Sequence, residues 1–285
     1  MTSSSLDAVP FYRQRIGDDG LIEPWTLDAL EEWAAAHGDP FAGRLRSRDR
    51  LRVALQLEAT SEPPVWGALD AGELDAWAAG LGRLWARFGI STGETLAFFD
   101  YGSSPLVLLS SASFVAYLKR GAAERLGITV VCNDGVASMA ARMATILEAV
   151  RPEGLVVRRD VLAPFAEAVR TTGAPIDAVR WIAITEPEGA PAKTDVQRYH
   201  AEWKLPVRRL LRADAAYFVA GDCDACALFH VDPRLYAVDT VFGGEIVVTA
   251  RFAETCPAVR YNIGPGEVVS PGCPREPRAF RLAWE

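Results

Sequence analysis

Between residues 71 and 88, Leu74, Trp77, Ala78, Leu81, Leu84, Trp85 and Phe88 recur at helical intervals, with Glu73, Asp75, Arg83 and Arg87 between them. An apolar stripe of this period predicts an amphipathic helix with one buried face. Thr92-Gly93 closes it, and the β-rich run TLAFFD (95–100) predicts a short buried strand. A helical stretch to about Leu126 and the strand ITVVC (128–132) follow. The rhythm then repeats as helix 138–149, strand 155–157, helix 160–171, strand 180–184 and helix 192–203. Strands alternating with helices predict a parallel sheet with right-handed crossovers. After Pro206 the short runs 207–211, 215–219, 226–231, 235–239 and 244–250 leave no room for crossover helices. They predict an antiparallel or mixed β section. The expected fold class is therefore α/β, in one compact domain over 1–285 with an α/β lobe (1–205) and a β-rich lobe (206–285). No Ser/Gly-rich linker, fixed-period repeat or low-complexity stretch interrupts it.

Charge removes one class of partner. Thirty Lys+Arg against 37 Asp+Glu give a net charge of −7, with no run of like charges, so nothing attracts a phosphate backbone and nucleic acid is not expected. The opening MTSSSLDAVP lacks the basic start and apolar core of a secretory signal. The uncharged stretch from Tyr101 to Leu118 is broken by serines and Pro105, which favours a buried helix over a membrane span. A cytoplasmic protein without a membrane partner is expected. The cysteines are Cys132, Cys223, Cys226, Cys256 and Cys273. An odd count in a reducing compartment directs attention to thiols or metal rather than to a disulfide framework.

Four segments carry a resemblance: AVPFYRQRI (8–16), RFGISTGETLAFFDYGSS (87–104), GAAERLGITVV (121–131) and GGEIVVTARFAETCPAVRYNIGPGEVV (243–269). In order and spacing the chain resembles the phenylacetate–CoA ligase branch of the adenylate-forming enzymes, over about residues 8–285. The resemblance implies that family's large N-terminal domain without its C-terminal lid. It also implies a pocket for a small aryl or acyl acid, or its thioester, in a biosynthetic setting. An acid–CoA or acid–amine ligase with unusual nucleotide contacts is the alternative enzyme reading, and a scaffold subunit of a full-length ligase a third. The corresponding protein partners are a second copy or a partner ligase.

The family's nucleotide elements are altered here. Its Gly-rich phosphate loop corresponds to LEATSEPPVWG (57–67), where two prolines remove amide donors and Glu58 and Glu62 add negative charge. The aspartate that the resemblance places on the ribose is replaced by Pro265 in Arg260-Tyr261-Asn262-Ile263-Gly264-Pro265, and only Asp214 stands near the magnesium-binding glutamate. ATP is not an expected cofactor.

Local chemistry concentrates in GDCDACALFH (221–230). Cys223-x-x-Cys226 followed by His230 directs three ligands to one point, and Cys273 offers a fourth for a closed Cys3His zinc site, which would be structural. The resemblance implies a structural metal here too. Two reduced cysteines beside a packed histidine remain the alternative, and Cys256 competes as a ligand or sits in the core. No catalytic nucleophile stands out: Cys132 has no histidine close in sequence, His37 fits a helix C-terminus, and His200 lies on a helix where Tyr199 and Trp203 are spaced for packing. Tyr101, Gly102 and Ser103 follow a strand at its carboxyl end, where open α/β sheets place ligands, and the resemblance puts this turn on the acid pocket. The other reading of the turn is a helix cap by Ser103 or Ser104 ahead of Pro105.

Overall fold

The computed structural model describes residues 6–57, 64–111, 120–269, 273 and 279–283. The chain begins with α1 (Pro10–Arg13) and α2 (Leu27–His37), then the hairpin strands β1 (Val53–Gln56) and β2 (Trp66–Leu69). It continues through α3 (Ala71–Arg87), β3 (Thr95–Phe99), α4 (Pro105–Ser111), α5 (Ala122–Leu126) and β4 (Thr129–Asn133). Next come α6 (Ala140–Val150), β5 (Gly154–Arg158), α7 (Arg159–Thr172), β6 (Trp181–Glu186), α8 (Lys193–Trp203) and β7 (Val207–Ala213). The closing strands are β8 (Phe218–Asp222), β9 (Phe229–His230), β10 (Tyr236–Val241), β11 (Glu245–Ala250), β12 (Tyr261–Val269) and β13 (Ala279–Leu282). No described helix is long and apolar enough to cross a membrane.

The chain divides into two compact units, one of Trp77–Arg212 with Ala220–Ala227 and the other of Met1–Ala76, Ala213–Val219 and Leu228–Glu285. The first is built on parallel strands in the order β4-β3-β5-β6-β7. Leu96 lies beside both Val130 and Gly154, Val156 beside Ala183, and Ile184 beside Arg209. The run at 207–211 thus still belongs to the parallel ladder. Phe99, Leu155, Phe165, Ile184 and Trp203 are buried in one cluster, because strands covered by helices bury continuous apolar runs. The aromatic spacing of α8 serves packing, with the Tyr199 and Trp203 rings stacked at 4.8 Å. From β3 one connection leads outward to β4, whereas β5 leads the other way through β6 to β7. The carboxyl ends of β3 and β5 therefore flank a topological switch point, where such sheets open a crevice.

The second unit is antiparallel. Val238 pairs with Val248, Val268 with Phe280, and Phe280 with Phe229, and the β11–β12 register shifts between Ile246 and Val247. Its N-terminal segment is held by aromatic rings. Phe11, Tyr12, Trp25 and Tyr261 meet edge to face, with centroids 4.9 to 6.3 Å apart. The Tyr12 hydroxyl donates to the Pro257 carbonyl (2.8 Å) and accepts from the Val259 amide (3.1 Å). Two of the segments that carried the resemblance, PFYR and AVRYN, thus interlock. The expected strand 215–219 begins only at Phe218, because Asp214–Ala216 forms one 3-10 turn and Tyr217 takes a left-handed backbone (φ 52). There the Tyr217 hydroxyl accepts the Ala68 amide (2.9 Å) and its carbonyl accepts the Tyr236 hydroxyl (2.8 Å).

Candidate functional site

β8 ends at Asp222 and the chain turns through Cys223-Asp224-Ala225-Cys226-Ala227 before β9. The Ala227 amide closes the turn on the Cys223 carbonyl (2.8 Å), with Ala227 left-handed at φ 55. His230 ends β9 and is buried, as are Cys223 and Cys273, and Cys226 is half-buried. One ligand atom from each of Cys223, Cys226, His230 and Cys273 lies within 4.8 Å of all the others. Zinc–thiolate bonds of about 2.3 Å give a tetrahedron with edges of about 3.8 Å, so a small contraction encloses an ion. The donor set of three thiols and one imidazole suits zinc, and all five cysteines are free of disulfides. No other group of this kind occurs among the described residues. Cys256 is fully buried and stands apart from the four, beside the buried Tyr217.

A second constellation sits at the switch point. Asp100, immediately after β3, has no exposed surface, and its carboxylate accepts from Arg212 of β7 (2.9 Å), the Ser104 hydroxyl (3.3 Å) and the Tyr101 amide (2.7 Å). Arg158, the last residue of β5, stands 3.6 Å from Asp100. It binds Asp160 through two 3.0 Å bonds and lies 4.3 Å from the Tyr101 ring centroid. Gly135 lets the chain after β4 approach, since a Cβ there would lie 2.8 Å from the Asp100 Cα and 2.9 Å from the Arg158 Cδ. A recess of about 390 Å³ runs past Arg158, Arg159 and Glu186, but Arg159 is already engaged by Glu186 (3.1 Å) and Asp195 (2.8 Å).

The third feature is apolar. Among the described residues, a cavity of about 440 Å³ is lined by Gly102, Val107, Ile128, Val130 and Cys132, with Ser111 and Glu124 also on its wall. Of the three residues expected on a ligand pocket, Gly102 lines this cavity, Tyr101 packs against Arg158, and Ser103 is exposed. The helix-cap reading of the turn also has a physical counterpart: the Ser104 hydroxyl accepts the Val107 amide (3.3 Å) one residue before Pro105. The Cys132 thiol is in hydrogen-bond contact with the Ser111 side chain. Burial raises its pKa above the ordinary thiol value against that bond, and the Asp100 charge adds to the rise. The roles of Asp100, Arg158 and Glu124 escaped the sequence, because each is a charged residue that reads as solvated until its neighbours in space are known. Glu58, Glu62 and Pro63 of the altered phosphate loop lie outside the described residues.

No family model matches this sequence, and no curated protein does so significantly. Solved structures do. The 2-hydroxyisobutyryl-CoA ligase determined in an open conformation with 2-HIB-AMP and CoA superposes with a TM-score of 0.74 at 16% identity, over 98% of this chain and 65% of that one. The benzoate CoA ligase from Burkholderia xenovorans LB400 gives 0.53 at 11% identity, over 78% of this chain and 47% of that one. The anthranilate CoA ligase AuaEII, solved with anthranoyl-AMP, gives 0.51 at 10% identity, over 70% and 39%. The chain thus spans less than two thirds of the length of each of these ligases. Likeness at such low identity is likeness of fold, and the fold is that of the N-terminal domain of the acid–CoA ligases in the adenylate-forming superfamily.

Proposed function

We propose that this chain binds a small aryl or acyl acid, or its thioester, without adenylating it, and that Cys223, Cys226, His230 and Cys273 hold one structural zinc. The observation that carries the binding reading is the 440 Å³ cavity beside Gly102. Its volume falls in the range of about 300–1,000 Å³ typical of small-molecule sites, and its walls are largely apolar, as such sites are. The neighbouring turn is held from beneath by the Asp100 carboxylate, which accepts the Tyr101 amide (2.7 Å). A pocket with a rigid rim loses little conformational freedom on binding. The reading of Tyr101, Gly102 and Ser103 as the ligand-facing turn rests on this cavity at Gly102 and on the switch-point position of Tyr101. A closed site of three thiolates and one imidazole leaves no open position for water, which makes the zinc structural.

The test is ligand-dependent stability. A ligand that binds only the folded state raises its stability by about 2.7 kcal/mol at a hundredfold excess over Kd, so benzoate, 2-hydroxyisobutyrate and their thioesters are to be screened by thermal denaturation. At Gly102 a Cβ meets no atom of the described residues within 4 Å, so valine is accommodated there. Gly102→Val is expected to keep the melting temperature of the free protein and abolish the ligand-induced rise. A screen in which no ligand of this class stabilises the protein removes the binding reading and leaves a scaffold role.

A further inference from the structure

We propose that Arg208 and Arg209, neighbours on β7, are positioning residues for the metal knuckle, where they hold its two aspartates and offset its negative charge; this rests on the reading of Cys223, Cys226, His230 and Cys273 as a zinc site. The two arginines, the end of β8 and the Cys223–Cys226 turn belong to one compact unit. In the chain Cys223 is flanked by Asp222 and Asp224. Successive side chains of a strand leave on opposite faces, and the two guanidinium groups reach carboxylates on either side of the cysteine. Arg209, only 2% exposed, donates through Nε to Asp222 (3.2 Å), and Arg208 donates through Nη2 to Asp224 (3.4 Å). The Cys223 thiol donates to the other Asp224 oxygen (3.8 Å). One carboxylate thus connects a candidate ligand sulfur to a guanidinium. Arg208 is itself placed by packing, since its guanidinium carbon lies 5.0 Å from the centroid of the Phe88 ring. That ring sits so close to Gly221 that a Cβ there would come within 2.6 Å of it.

The balance of charge gives the arrangement its purpose. Three thiolates and a neutral imidazole around a divalent zinc carry a net negative charge, and Asp222 and Asp224 stand beside it. A cysteine binds zinc as a thiolate and then has no hydrogen to donate, so the 3.8 Å contact between Cys223 and Asp224 becomes one between like charges. Arg208 offsets the Asp224 charge in that state. Without the metal the same pair contributes little, because the Asp224 side chain is 48% exposed and ion pairs of this kind are screened by water. The effect of Arg208 therefore falls on zinc affinity rather than on the fold. Residues that support metal ligands in this way alter affinity by about 10–100-fold when they are replaced.

The experiment uses the full chain loaded with zinc and measures transfer of the metal to a chromophoric pyridylazo chelator. Arg208→Gln is expected to hold zinc about tenfold more weakly than the unmodified chain, and Arg208→Lys, which keeps the charge, to stay within about threefold of it. Asp224→Asn is expected to hold zinc severalfold more tightly, and in the Arg208→Gln background to recover most of the loss. Melting temperatures separate this role from a merely structural one: Arg208→Gln is expected to lower that of the zinc-loaded protein and to leave that of the chelator-stripped protein unchanged. Zinc held as tightly by Arg208→Gln as by the unmodified chain, or lost equally from Arg208→Gln and Arg208→Lys, or held more weakly by Asp224→Asn, overturns the proposal and leaves the metal site in place. An unmodified chain that carries no zinc removes the metal site and this proposal together.

Discussion

Asp100 and Arg212 show how much a single buried pair decides. Their side chains are 0% and 1% exposed, and the 2.9 Å contact joins a residue just after β3 to one on β7. Removing one member of such a pair costs about 3–5 kcal/mol, because the remaining charge is buried without compensation. Arg212→Met is therefore expected to destabilise the protein by about that amount in urea denaturation, since it leaves Asp100 with the more distant Arg158 at 3.6 Å. Asp100→Asn in the Arg212→Met background is expected to recover part of the loss, and a double variant no more stable than the single would show that charge is not the cause. For the four candidate metal ligands the proposed zinc would be the source of stability. Purified protein is expected to contain about one zinc per chain, and Cys223→Ser to lose both the metal and several degrees of melting temperature. Cys256→Ser, in the core and outside the cluster, is expected to keep the metal. Freshly purified protein without zinc, prepared in the absence of chelator, would refute the metal site.

At the scale of elements, α3 shows what a pattern of apolar residues leaves out. The stripe from Leu74 to Phe88 is buried as its period requires, but Glu73, read from sequence as part of the solvent face, is only 5% exposed. Asp70 and Glu73 form a reciprocal cap: the Glu73 amide bonds to Asp70 (2.9 Å) and the Asp70 amide to Glu73 (2.6 Å). The second Glu73 oxygen accepts the amides of Glu254 (2.5 Å) and Thr255 (2.7 Å). Glu73→Ala leaves these buried amides unmet and is expected to cost about 3 kcal/mol in chemical denaturation, more than an exposed cap would. For Asp70, burial pushes the carboxyl pKa up, but the Arg50 guanidinium at 2.6 Å and the helix amides outweigh it and hold it below its ordinary 3.8. A depressed folded value means stability that is present above 3.8 and lost as pH falls through the folded value, so Asp70→Asn is expected to flatten the acid limb of the stability–pH curve. The Asp70-x-x-Glu73 spacing was open to reading, whereas the Thr255 contact was not. The parallel strands were legible for the same reason as α3, since each is a continuous apolar run between helical periods. β12 was not, because Gly264-Pro265-Gly266 argues against a strand until the register is known. Gly266 is needed there, as a Cβ would come within 2.2 Å of the Arg281 carbonyl oxygen. The metal knuckle was legible because three of its ligands are close in sequence. Of the cavity only Gly102 was legible, from its place after a strand's carboxyl end, whereas Glu124 and Cys132 come from separate elements.

For the molecule as a whole, the proposal that this chain does not adenylate turns on particular residues, because the fold itself superposes on 2-hydroxyisobutyryl-CoA ligase over 98% of this chain. By the resemblance of the YNIGPG segment, Pro265 stands where an aspartate would hold the ribose. In the structure Pro265 is part of the β12 ladder, opposite Glu245, with its carbonyl accepting the Ala283 amide (2.7 Å). A proline side chain offers neither donor nor acceptor. Asp214, the acidic residue that the resemblance leaves nearest the magnesium-binding glutamate, is 3% exposed, one methylene shorter, and starts a 3-10 turn. Magnesium favours near-ideal octahedral geometry at about 2.0–2.1 Å, so a retracted carboxylate is a poor replacement. Titration calorimetry with magnesium-ATP is therefore expected to show no binding at millimolar concentration, and pyrophosphate exchange to stay at background with benzoate or 2-hydroxyisobutyrate. Pro265→Asp alone is not expected to restore exchange, because it supplies a ribose contact without a metal ligand. Exchange above background in the unmodified chain, dependent on any carboxylic acid, would make it an adenylating ligase with unusual nucleotide contacts and would overturn the non-adenylating reading.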